Sequence, residues 1–132
     1  MTVIASVDYP LTERDVEVVE RALHVAAERS DADVTVLHVD TGGGRTTESD
    51  VREDIGFSFP EFRGEVVVRT ASDVPGTIEE TAQARDAEVV VIGEPSYAEK
   101  LESAVLGSPN SVAETVSEDG SDEDVTFEVT LV

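Results

Sequence analysis

Two short stretches carry residues whose types and spacing suit ligand chemistry. Asp8-Tyr9-Pro10 sets a carboxylate at the end of one β-branched run, and Gly93-Glu94-Pro95-Ser96 ends another. Ten residues, 97–106, then separate Ser96 from Gly107-Ser108-Pro109. Ser108 can cap free backbone N–H groups, Pro109 suits the first helical position, and Val112 and Val116 share one face of the helix so started. Bare N–H groups at a helix start favour an anion, so a strand end brought against this start would suit phosphate.

Acid–base and nucleophilic chemistry is poorly supplied. His24 falls on a helix flank and reads as solvated, whereas His38, in Leu37-His38-Val39, reads as a hydrogen-bonded core or strand-end histidine. Ser96 does not sit in a Gly-x-Ser-x-Gly elbow, and no His-Glu-x-x-His pattern occurs. With no cysteine there is no disulfide, thiol nucleophile or thiolate metal site. Asp50, Glu53 and Asp54, like the acidic run 118–124, lack calcium-loop spacing and read as solvated charge. Gly42-Gly43-Gly44 is not followed by Gly-Lys-Ser/Thr, so it is no phosphate loop. The expectation is no catalytic residue and no metal site.

Parallel-sheet elements must position these stretches. Residues 3–7 and 34–39 read as buried strands, and Val66, Val67 and Val68 give a third within 65–69. The continuous run Val89, Val90, Val91 and Ile92 suits a strand covered on both faces. Between the first two strands, Thr12 caps an amphipathic helix over 12–29 whose stripe is Val16, Val19, Leu23 and Ala26. Ser72 or Asp73 caps another, with Pro75 in its first turn and Ile78 and Ala82 inward. Residues 40–64 hold neither period cleanly and read as a flexible segment. A helix over 47–55 is the one element expected there, with Phe57, Phe59 and Phe62 forming a lid or a partner surface. After the polar acidic loop 117–124, Val125, Phe127, Val129 and Leu131 alternate with polar residues, as in an edge strand with Phe127, Val129 and Leu131 on its covered face.

Strand, helix, strand with short connections implies right-handed parallel crossovers. The expected fold is therefore one α/β domain over 1–132, Rossmann-like, with a five-stranded mainly parallel sheet in the order 3-2-1-4-5 and helices on both faces. Its switch point falls between the first strand and the 89–92 strand, where doubly wound sheets bind ligands.

VIASVDYP, VVVIGEPS and the later LGS together resemble the universal stress protein (UspA-like) family over most of the chain. That family's signature is Gly, two residues, Gly, nine residues, then Gly with Ser or Thr, and ATP-binding members hold phosphates with it. The resemblance places Asp8 and Pro10 at one lip of a nucleotide site, Val39 near the adenine pocket, and Gly93, Ser96, Gly107 and Ser108 on the phosphate side. Ser96 stands where the middle glycine belongs, and the following interval is ten residues. Glu94 adds a carboxylate, and Pro95 removes a donor. At about 4 Å and an effective dielectric near 20, one like-charge pair costs on the order of 4 kcal/mol before screening. ATP with magnesium is therefore expected to bind weakly or not at all. The resemblance implies a non-enzymatic stress-response or regulatory domain, homodimeric through strand 125–132. The alternative it leaves open is an ATP-binding, nucleotide-dependent switch with at most residual ATPase activity.

Composition bounds the partners. Thirty Asp and Glu against nine Lys and Arg give a formal net charge of −21 over 132 residues, which argues against nucleic acid and anionic membrane. Acidic excess with Lys100 the sole lysine suits a halophilic host. No leader-like segment or membrane-length apolar stretch is evident, so a cytoplasmic protein is expected.

Overall fold

A computed structural model describes residues 2–29, 32–95, 97 and 128–132. The chain runs β1 (Thr2–Val7), α1 (Glu13–Glu28), β2 (Asp33–Asp40), α2 (Glu48–Ser58), β3 (Glu65–Thr70), α3 (Val74–Ala84), β4 (Ala87–Ile92) and β5 (Glu128–Leu131). The five strands form one sheet in the order β3-β2-β1-β4-β5, and every neighbouring pair is parallel. The order and the parallel pairing agree with the sequence reading.

Strand periodicity divides the core in two. Val3, Ala5 and Val7 of β1, with Val36 and Val91, face α1 and α2 through Val18, Val19, Val51 and Ile55. Ile4, Leu37, Val90 and Ile92 point to the other face, where Ile78 and Ala82 of α3 cover them. Because successive side chains alternate, a β-branched run such as 89–92 feeds both layers at once.

Helix starts follow the cap residues. Thr12 and Asp15 form a reciprocal capping box, and Thr47 and Asp50 repeat it on α2. Asp73, of the two candidates, caps α3, its carboxylate accepting from the Gly76 amide at 3.1 Å. Each box satisfies amides that the first helical turn leaves bare.

Three details differ from the sequence reading. The buried stripe of α1 is Asp15, Val18, Val19 and Ala22, so the expected stripe of Val16, Val19, Leu23 and Ala26 has the right period and the wrong phase. A polar residue satisfied by its own cap can face the core, and a hydrophobicity count passes over it. Leu23 and Ala26 instead pack, partly buried, at the margin of that layer. Helix α2 extends past residue 55 to Ser58, while Phe57 is 81% exposed and Phe59 and Phe62 pack on the core margin. Finally, Val129 packs on the α3 side, but Leu131, expected on the covered face, is 45% exposed, because an edge strand has a neighbour on one side only.

Arg29 ties the edge strand down. Its guanidinium reaches Glu88 and Glu128 at 3.2 Å each, joining the end of α1 to β4 and β5. The expected helix after Ser108, the acidic loop 117–124 and residues 125–127 of the last strand lie outside the described residues.

Candidate functional site

A cleft of about 250 Å³ opens at the carboxyl ends of β1, β2 and β4, the switch point of the strand order. Strand ends supply Asp8, Val39, Ile92 and Gly93 to it, α1 supplies Arg14 and Asp15, and Glu94 and Tyr97 close the far lip. Topology thus brings together Asp8, Val39 and Gly93, three residues distant in sequence. Pro10, by contrast, does not line the cleft; it follows a cis Tyr9–Pro10 bond in the exposed turn. Ser96, Gly107 and Ser108 lie outside the described residues.

The lip carrying Asp8 is anchored from outside the cleft. The Leu11 amide donates to Asp54 Oδ2 at 2.8 Å, so α2 holds the β1–α1 turn. His38 adds a second anchor beneath it. Buried in β2, its ring Nδ1 donates to the Val7 carbonyl at 3.0 Å, and the ring meets Tyr9 edge-on with centroids 6.3 Å apart. This is the hydrogen-bonded strand histidine the sequence suggested.

Arg14 lines the cleft and was missed in the sequence, as was Asp40, which does not line it but shapes the loop after Val39. The Arg14 Nη1 donates to the Gly93 carbonyl at 3.0 Å, and its aliphatic stem lies across Gly93. A Cβ built on Gly93 would stand 2.6 Å from Arg14 Cγ, so glycine here serves close approach. No local motif announces that contact, since 79 positions separate the partners. Asp40 follows Val39, and its buried carboxylate accepts from the Gly42 amide at 2.7 Å and the Thr46 amide at 3.1 Å. The bonds from Thr46 and then Gly42 stabilise the ionised form and hold its pKa below the usual carboxylate range. Asp-x-Gly is a turn signal that could have located it.

Electrostatically the cleft is acidic. Three carboxylates, Asp8, Asp15 and Glu94, line it, with Arg14 the cation among the described lining residues. Burial first, then the charge of Asp15, push the Asp8 carboxyl above its ordinary range; His38 opposes them, and Glu94 adds the smallest upward push. Tyr97 is likewise raised, by burial and then by Asp8 and Glu94.

This arrangement makes a pH prediction. Because folding raises the Asp8 pKa, the ionised carboxylate weakens the fold, and the penalty grows as pH rises through the unfolded and then the folded value. Asp8→Asn should therefore raise the melting temperature slightly at neutral pH, the gain being small because solvent screens a carboxylate exposed in the turn. The gain should vanish below about pH 3.9, the ordinary value for aspartate, where the parent residue is also neutral. Thermal scans of parent and variant from acid to neutral pH check this, and a variant less stable at pH 7 would reverse the assignment.

No protein-family model and no curated protein sequence matches the chain. Solved structures do. A universal stress protein family member from Burkholderia pseudomallei aligns with a TM-score of 0.60 at 18% identity, over 99% of this chain and 94% of that one. The chain has the universal stress protein fold. A second universal stress protein, solved in complex with cAMP, aligns at 0.58 and 20% identity, over 100% of this chain and 95% of that one. At such identities the likeness is one of fold, and the universal stress protein architecture hosts the cleft described above. Among the described residues no group of three or more His, Cys, Asp or Glu side chains is arranged to hold a metal ion, and no helix is long and apolar enough to cross a membrane.

Proposed function

We propose that the chain is a cytoplasmic, non-enzymatic stress-response or regulatory domain that acts as a dimeric interaction module and binds nucleotide weakly or not at all. One observation carries this reading: the switch-point cleft presents Asp8, Asp15 and Glu94 against Arg14, whose guanidinium is already engaged with the Gly93 carbonyl. A triphosphate brings several negative charges to a site already rich in them. The described lining therefore does not fit a phosphate chain, although Val39, Ile92 and Tyr97 offer apolar walls that a nucleoside would suit.

The dimer is proposed through β5, whose outer edge has no strand neighbour among the described residues and so offers backbone donors and acceptors. Glu128 on that strand is held by Arg29, which offsets the repulsion two copies would otherwise feel across a two-fold axis. The second reading, an ATP-binding switch, draws support from the cAMP complex of the similar universal stress protein and from the meeting of Asp8, Val39 and Gly93 at one cleft. In that reading Ser96, Gly107 and Ser108 would complete the phosphate side.

Calorimetry in high salt separates the two. Magnesium ATP and cAMP should show no tight site on the parent chain, and Glu94→Ser with Ser96→Gly should improve ATP affinity. Tight ATP binding by the parent would replace the first reading with the second. Light scattering should give twice the monomer mass, reduced to monomer by Val129→Pro, which removes a ladder donor.

A further inference from the structure

At the opposite end of the sheet from the cleft, a trough of about 610 Å³ runs between the last turns of α1 and the α2–β3 connection. Leu23, Ala26 and Ala27 form one wall, and Phe59, Pro60 and Phe62 the other. Two backbone features hold the aromatic wall in place. The Phe62 amide donates to the Phe59 carbonyl at 3.0 Å, closing a turn, and Gly64 has no Cβ to obstruct the Phe62 ring, which passes over it. The walls are preformed, yet Leu23, Ala26, Phe59 and Phe62 remain only half-buried. Such a trough covers one side of an occupant and leaves the other in water, as a groove for a peptide segment does.

Charge selects the occupant. Asp33 and Glu61 stand in the trough with Arg63, and among the described residues neither carboxylate makes an ion pair. The trough thus carries a net negative charge, on a chain whose own formal charge is −21. We propose that this trough docks an amphipathic helix of a partner protein, apolar on the side that enters between Leu23 and Phe62 and basic along its flanks, where Asp33 and Glu61 meet it. Apolar contact supplies the affinity, and the carboxylates favour basic over acidic partners. The inference goes beyond the dimer reading. It does not use β5 or the cleft, so loss of either reading leaves the other standing.

The probe is a labelled synthetic helix of about 14 residues, roughly four turns, with leucine on one face and lysine on the other. Fluorescence anisotropy in high salt should show saturable binding, and a version with serine for leucine should not bind. Ala27→Arg, at an exposed helical position that tolerates arginine, should weaken binding about tenfold by filling and charging the trough, with an unchanged melting temperature. The double variant Asp33→Asn, Glu61→Gln should weaken it severalfold at the lowest salt that keeps the fold, and less in molar salt. Equal binding of the serine peptide, or unchanged affinity in Ala27→Arg, would overturn the proposal. So would a fall in the chain's own mass in Ala27→Arg, which would make the occupant a second copy.

Discussion

The melting temperature should rise by on the order of 10–20 °C between dilute buffer and molar potassium chloride, from screening of a few kcal/mol of repulsion at roughly 3–5 °C per kcal/mol for a domain of this size. The source is the net charge of −21. Two opposing effects compete. Salt also weakens the exposed ion pairs made by Arg29, Arg69 and Arg85, but such pairs contribute about 0–1 kcal/mol each. Mutual repulsion among thirty carboxylates outweighs that loss, because it acts between every neighbouring pair and falls together as the Debye length shortens from about 30 Å at 0.01 M to about 3 Å at 1 M. Circular dichroism melts across that range decide the matter. A flat or falling curve would remove the case for a halophilic host.

Gly64→Ala should be the most damaging of the conservative substitutions, costing about 3 kcal/mol, or on the order of 10 °C in melting temperature. A Cβ at Gly64 would collide with the backbone carbonyl oxygen of Val34 and lie 2.6 Å from Phe62 Cζ. The ring could swing away, but the carbonyl belongs to β2, which is hydrogen-bonded to β1 and β3 on its two sides. Relief therefore requires breaking ladder bonds or moving the chain entering β3. Gly56→Ala is the matched control. It lies in α2 with nothing within 4 Å of the added methyl, so alanine there should stabilise by about 0.5–1 kcal/mol through helix propensity. Denaturant melts of both variants test the contrast, and equal effects would show that the close approach at Gly64 is relieved cheaply.

Much of the architecture was legible in the residues because local patterns carried it. The β-branched runs at 66–68 and 89–92 suited strands covered on both faces, and Thr12 and the pair Ser72 or Asp73 marked helix starts through capping chemistry confined to four neighbouring residues, although only the structure showed Thr47 capping α2 and Asp73 capping α3. Short crossovers then left the order β3-β2-β1-β4-β5 as the natural one. The meeting of Asp8 and Gly93 at one cleft follows from the same order, since strand ends at a switch point face each other, whereas Val39 came from the family resemblance alone.

Tertiary structure decided what depended on contacts across the sheet. The phase of α1 turned on a buried Asp15 that its own cap satisfies, a choice that hydrophobic counting cannot see. Arg14 reached the cleft because parallel pairing of β1 with β4 brings Gly93 beneath the first turn of α1, across 79 positions of sequence. The aromatic residues beyond α2 showed no period, and only packing separated Phe57 at the surface from Phe59 and Phe62 along the trough. Periodicity and capping act within a few residues and are written in the chain, whereas the sign and shape of a site arise from side chains that meet only when distant segments pack.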